Sequence, residues 1–229
     1  MGQITIRELE KLDFFEGIPQ DILQNLLNES TVASYKKKEV IFHSRTRTEF
    51  VYFVLSGEVM LYNLTKHGNR KVIFILGKGR LLNQSIVSKK PNALFGEAVC
   101  PVQALKIPEG VFLRFMEQCH ELTYSILREY ERNLWRMGHQ LKNTTGNMQT
   151  ERKIAAKLWK LGRDFGVETE EGVMVDIDLT ITLMADLVGV PRENVSRACK
   201  VLTDRGLIRY SSKRFILTDF DGLADFYKM

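Results

Sequence analysis

The apolar positions change period along the chain, and each change marks a different kind of element. Between residues 4 and 30, Leu9, Leu12, Phe14 and Phe15, then Ile22, Leu26 and Leu27 after Pro19, fall at helical spacing and predict two short helices. From Val32 to Pro108 the pattern is that of strands. The runs VIF at 40–42, FVYFVLSG at 50–57, EVMLYNL at 58–64 and KVIFIL at 71–76 are rich in β-branched and aromatic side chains, which fit a pleated surface. Turn signals at Ser56-Gly57, His67-Gly68-Asn69 and Gly77-Lys78-Gly79 separate them. Short strands at this spacing predict a small antiparallel barrel or roll.

Pro108 then opens a long helical stretch. Leu122, Ile126, Tyr130, Leu134, Met137 and Leu141 recur at spacings of four and three, with Glu, Arg and Lys alongside. Such a sustained seam predicts a helix that pairs with a second copy of itself, giving a homodimer. The segment NTTGN at 143–147 reads as a hinge, and residues 149–165 as an amphipathic helix that packs under the segment that follows.

That segment, TITLMADLVGVPRENVSRACKVLTDRGLIRYSSKRF at 180–215, predicts a short helix, a turn, a second helix and a hairpin. Thr180 or Thr182 can cap the first helix, whose stripe is Met184, Leu187 and Val188. Gly189 permits a left-handed turn, and Pro191 suits a helix start, where its missing N–H costs nothing. Val195, Cys199 and Leu202 bury one face of the second helix, while Arg192, Glu193, Asn194, Ser196 and Arg197 crowd its first turns on the other. A helix that enters the major groove of DNA touches base edges with its N-terminal side chains. Arginine offers guanine a bidentate fork, and glutamate accepts from the cytosine amino group. Arg209, Lys213 and Arg214 in the hairpin suit phosphate contact.

Charge supports this reading through its distribution. The formal net charge of the 229-residue chain is only +5. Between Val190 and Arg214, however, Arg192, Arg197, Lys200, Arg205, Arg209, Lys213 and Arg214 face only Glu193 and Asp204, a local basic surface. No apolar run approaches a membrane span, the N-terminus MGQITIRELEK has no secretory core, and Ile6 stands where a myristoylation signal would carry Ser or Thr after Gly2. The three cysteines, Cys100, Cys119 and Cys199, lack metal-ligand spacing and read as buried small hydrophobes in a reduced cytoplasm. There is no Walker loop, GxSxG elbow or HExxH pair, so no enzymatic activity is expected. A metal barrel would need clustered ligands, which His43 and His67 do not have, and no metal site is expected.

A β-roll, a long dimer helix and a C-terminal winged helix-turn-helix, in that order, resemble the cyclic-AMP receptor protein/FNR (Crp/Fnr) regulators. LSGEVMLY at 55–62, Gly79 after the fourth strand, ERKIAAKLWKL at 151–161 and VPRENVSR at 190–197 carry the resemblance over nearly the whole chain. It implies an α+β fold divided into an effector-sensing cyclic-nucleotide-binding-like jelly roll (1–120), a dimerisation helix with hinge (121–146) and a DNA-binding domain (147–229). It implies a dimeric transcriptional regulator that binds palindromic promoter sites and works with RNA polymerase. Glu193 and Arg197 would read a T-G-A half-site core, with Arg192 and Ser196 adding base contacts. Thr182, Asn194, Lys200, Lys213 and Arg214 would hold the DNA backbone. A ligand-binding module that acts through a protein partner instead of DNA is the alternative.

The chain departs from the family at the nucleotide cassette. The Gly-Glu pair that takes the ribose falls at Asn83-Gln84, and the Arg-Ser pair that holds the cyclic phosphate falls at Asn92-Ala93. Phe95-Gly96-Glu97 resembles the first half but comes too late. Cyclic nucleotide is therefore not the expected effector. An iron–sulfur cluster needs four thiolates, and none precedes residue 100 here. Haem is not expected, since His43, His67 and His120 read as surface or capping residues and His139 as a filler of the dimer seam. The expected effector pocket comprises Phe74, Leu81, Leu82, Asn83, Gln84, Asn92, Ala93, Met137 and Gly138; it either takes an unidentified neutral or apolar small molecule or is filled by its own side chains, leaving a constitutive regulator.

Overall fold

The run FVYFV organises the N-terminal half, because both of its faces are buried. The structure, a computed structural model, describes residues 4–144 and 148–228, with the side chains of 141–144 outside that set. The side chain of Leu141, Gly2 and the middle of the expected hinge thus lie outside what is described. The chain divides into two compact units, residues 1–63 with 73–138, and residues 64–72 with 139–229.

In the first unit, α1 (Ile6–Glu10), a 3-10 turn (Asp13–Phe15) and α2 (Gln20–Asn28) precede strands β1 (Thr31–Tyr35), β2 (Val40–Phe42), β3 (Phe50–Ser56), β4 (Val59–Leu64), β5 (Arg70–Leu76), β6 (Phe95–Ala98) and β7 (Val102–Pro108). They form a three-stranded sheet in the order β1-β7-β3 and a four-stranded sheet in the order β2-β6-β4-β5. Side chains alternate across a strand. Tyr52 and Val54 therefore join Phe42, Leu61, Phe74 and Leu82 in one core, while Val51 and Phe53 join Leu9, Phe15, Leu23 and Phe112 in another. β3 is sandwiched between them, and pairs with β7 through Val51–Ile107 and Phe53–Leu105. β1, β6 and β7 carry no long apolar run, which is why the roll has more strands than the hydrophobic pattern names.

The helical stretch after Pro108 is two helices, α3 (Glu109–Gln118) and α4 (His120–Thr144). Cys119 separates them with extended backbone, φ −130° and ψ 109°. The Thr123 hydroxyl donates to the Met116 carbonyl at 2.6 Å and satisfies one of the acceptors freed by the break.

α4 corrects the expected dimer seam. Leu122 and Ile126 are 0% and 2% exposed, inside this unit's own core, with Tyr130 packed against it. Leu134 and Met137 are 72% and 46% exposed. At 3.6 residues per turn the four-three spacing drifted across two faces. The outward apolar stripe is Tyr124, Leu127 and Leu134, flanked by Trp135 and Met137.

The second unit contains α5 (Thr150–Phe165), β8 (Gly166–Thr169), β9 (Gly172–Val175), α6 (Ile181–Val188), α7 (Arg192–Asp204), β10 (Arg209–Ser211), β11 (Arg214–Leu217) and α8 (Phe220–Lys228). Its sheet runs β10-β11-β9-β8, so the expected hairpin is half of a four-stranded wing. Buried Ile154, Leu158 and Leu161 line α5, which packs on α6, α7 and α8. Trp159 stacks on Phe220 with ring centroids 5.8 Å apart. Gly162 permits this approach: a Cβ there would sit 2.5 Å from Leu217 Cδ1 and 2.9 Å from Phe220 Cε2.

Candidate DNA-reading surface and effector site

The Thr180 hydroxyl, not Thr182, caps α6, accepting from the Leu183 N–H at 3.1 Å. Gly189 ends the helix in the left-handed region at φ 76°, where its N–H reaches the Ala185 carbonyl. Pro191 is the N-cap of α7, one position earlier than the sequence suggests. Met184 and Leu187 are buried, with Ala185 in place of half-buried Val188. Val195, Ala198, Cys199 and Leu202 fix the inner face of α7, and burial pushes the Cys199 thiol up to about 11.

This packing determines what α7 shows to solvent. Arg192, Glu193, Ser196, Arg197 and Lys200 are exposed and Asn194 is half-buried. Arg197 Nη2 donates to Asn194 Oδ1 at 2.5 Å, one helical turn back. That bond removes rotamer freedom from the guanidinium before any partner arrives. Thr182 is exposed in the first turn of α6.

On the wing, Ser212 and Lys213 both have positive φ, 50° and 63°, the geometry of a tight two-residue hairpin turn. Lys213 is exposed at its tip. Arg214 pairs with Asp176 and lies 3.9 Å from Asp178, while Arg209 pairs with Glu171. The wing's basic charge is thus partly matched by carboxylates.

The residues expected to line the effector pocket do not share one surface. Leu81 faces the helix-side core and bridges to Phe53, whereas Phe74 and Leu82 lie between the sheets. Ala93, Met137 and Gly138 are exposed. Asn83 is buried, with Oδ1 accepting from the Tyr52 N–H at 2.8 Å and Nδ2 donating to the Phe50 carbonyl at 2.9 Å. Asn92 Nδ2 donates to the Thr46 carbonyl at 3.1 Å. Gln84 spans from the Leu82 carbonyl at 2.7 Å to the Leu94 N–H at 3.3 Å. Where the nucleotide cassette would be, amide side chains fasten backbone to backbone.

Charge absent from the expected pocket appears nearby. Glu129 of α4 is 3% exposed, with Arg132 Nη1 at 3.5 Å and Arg80 Nη1 at 3.6 Å. Arg136 lies over the Phe74 ring, 4.9 Å from its centroid. Burial holds the Glu129 carboxyl above the usual carboxylate range, against the opposing pull of Arg80 and Arg136. Backbone bonds of Gly79 and Arg80 to Val54, and of Leu82 to Tyr52, fix the segment that carries Arg80. The sequence held a signal for this cluster: Glu129, Asn133 and Arg136 continue the inward face of Leu122, Ser125 and Ile126 at spacings of three and four. Among the described residues no group of His, Cys, Asp and Glu could hold a metal, and no helix is long and apolar enough to cross a membrane.

Comparison with known proteins joins the two units functionally. A cyclic nucleotide-binding domain model matches residues 32–119, and a Crp-like helix-turn-helix domain model matches residues 152–226. The chain is 23% identical over 217 residues to a CRP-like cAMP-activated global transcriptional regulator of Mycobacterium tuberculosis, covering 94% of this chain and 96% of that one. It is 24% identical over 186 residues to a global nitrogen regulator of a Nostoc species, covering 80% and 83%. Among solved structures, FixK2 from Bradyrhizobium japonicum superposes with a TM-score of 0.74 at 20% identity over 86% of this chain and 96% of that one. The two domain models, matched in this order along one chain, and the regulator aligned over 94% of it make this chain a member of the Crp/Fnr family of transcriptional regulators.

Proposed function

We propose that the chain acts in the cytoplasm as a homodimer on palindromic promoter DNA. Its division into a sensing roll (1–120), a dimer helix with hinge (121–146) and a DNA-binding domain (147–229) serves that role. α7 enters the major groove, where Glu193 and Arg197 read a T-G-A core and Arg192 and Ser196 add base contacts. Thr182, Asn194, Lys200, Lys213 and Arg214 hold phosphates, with Arg214 shared between DNA and Asp176. A small-molecule effector, not a cyclic nucleotide, acts at the roll and α4, and RNA polymerase is the downstream partner. No iron–sulfur cluster or haem takes part.

The observation that carries this is the exposed face of α7, with Arg197 pre-oriented by Asn194 at 2.5 Å. The test compares two variants by fluorescence anisotropy on specific and random duplexes across a salt series. Arg197→Ala removes a base contact worth about 1–3 kcal/mol on the specific site and little on random DNA. Lys213→Ala weakens both alike and flattens the salt slope by about one unit. Equal losses on both duplexes for Arg197→Ala would remove the assignment of α7.

A further inference from the structure

One bond on α7 ties together two residues that DNA would otherwise meet separately. Asn194 and Arg197 stand three positions apart and so share a side of the helix. Arg197 Nη2 donates to Asn194 Oδ1 at 2.5 Å. A guanidinium has donors and no acceptor, so the atom facing it is the amide oxygen and the Nδ2 group is the one left over. Among the described residues that Nδ2 has no hydrogen-bond partner. The Asn194 main-chain N–H already donates to the Pro191 carbonyl at 3.0 Å, so the side chain is not needed as a cap. Arg192, Glu193, Ser196 and Lys200 make no side-chain hydrogen bond among the described residues, which leaves Arg197 as the member of the exposed set whose side chain is held.

We propose that Asn194 is a positioning residue that couples anchoring to reading: its Nδ2 donates to a DNA phosphate while its Oδ1 holds the Arg197 guanidinium toward guanine. This rests on the proposal that α7 reads DNA, and it gives Asn194 a role beyond phosphate contact. An arginine left free beside DNA has a competing use for its fork, because phosphate accepts the same bidentate pair that guanine does. Phosphates carry no sequence information, so an arginine that swings to them adds affinity without selectivity. The amide is planar and short. A phosphate on its nitrogen fixes the plane, and the plane fixes where its oxygen holds Arg197. Arg197 keeps its other N–H donors, enough for a two-point contact with guanine. Holding the guanidinium before DNA arrives also lowers the ordering cost of docking.

The test measures fluorescence anisotropy of the full chain on a palindromic duplex that it selects from randomised DNA, on single-base variants of that duplex and on a random duplex. Arg197→Ala identifies the base that Arg197 reads, as the position where discrimination is lost. At that base Asn194→Ala should lower discrimination by about two- to tenfold and leave the other positions near the parent's values. Asn194→Asp keeps an oxygen toward Arg197 and turns the phosphate donor into a like charge. It should therefore weaken specific and random duplexes alike while keeping discrimination at that base. In the Arg197→Ala background, Asn194→Ala should change discrimination no further. Parental discrimination in Asn194→Ala overturns the proposal, as does an equal loss at every position or an Asn194→Asp protein as undiscriminating as the alanine variant. The two claims separate cleanly. Discrimination lost at no base in Arg197→Ala removes α7 as the reader and the coupling with it, whereas a base lost in Arg197→Ala and kept in Asn194→Ala removes the coupling alone.

Discussion

Leu134 offers a direct measure of what holds two copies together. It is 72% exposed in the single chain, on the same stripe as Tyr124 and Leu127. Full burial of a leucine side chain contributes about 1.5–3 kcal/mol, so the surface that remains is worth about 1–2 kcal/mol. A two-fold axis makes every contact twice, which gives about 2–4 kcal/mol per dimer. Leu134→Glu forfeits that contribution and brings two carboxylates together near the axis. At about 1.4 kcal/mol per tenfold, the dissociation constant should rise by roughly 30- to 700-fold. Sedimentation velocity over a concentration series reads this directly. Leu122→Ala is the contrast. Leu122 is fully buried in its own unit, so its truncation should cost about 2–5 kcal/mol of folding stability and leave the dimer constant of the folded protein near the parent's. A Leu134→Glu protein that sediments as a dimer with the parental constant would refute the assignment of this face.

Further outcomes follow from the two units separately. Because the Glu129 carboxyl is held above its ordinary range, the native state keeps its proton more tightly than the unfolded chain. Its contribution to stability is full at low pH and is lost as pH rises through the elevated native value; thermal melts of Glu129→Gln should lack that part of the slope, and an unchanged slope would show that Glu129 titrates normally. Gly162→Ala places a methyl group 2.5 Å from Leu217 Cδ1, so overpacking of about 1–3 kcal/mol outweighs the roughly 1 kcal/mol that alanine adds to a helix. Its melting temperature should fall, and a rise would mean that Leu217 and Phe220 move aside freely.

The family, the roll and the helix-turn-helix were legible because local signals agree there with tertiary packing. Thr180, Gly189 and the Val195–Leu202 face each announce their own geometry within a few residues. The seam on α4 was not legible in the same way. A four-three spacing fits either face of a long helix, and only the roll's core decides that Leu122 and Ile126 turn inward while Leu134 turns out. The strands β8 and β9 escaped notice because GVET and GVMV are short and mostly exposed or half-buried. The cluster at Glu129 was missed because charged residues beside an apolar seam read as solvated; their burial depends on Arg80, 49 positions away in sequence.

The amides of Asn83 and Asn92 make this segment of the roll hard to rebuild. A nucleotide cassette at these positions would put a glycine at Asn83 and an arginine at Asn92, removing residues that serve as rivets between the segment after β5 and the strand edges near Thr46, Phe50 and Tyr52. Each rivet withdrawn strands a buried main-chain group, at about 1–3 kcal/mol apiece, before any new ligand could repay the damage. Intermediates along such a path would be less stable than either endpoint. A roll fastened in this way resists piecemeal exchange of its anchors, because each exchange weakens the fold before it adds a contact.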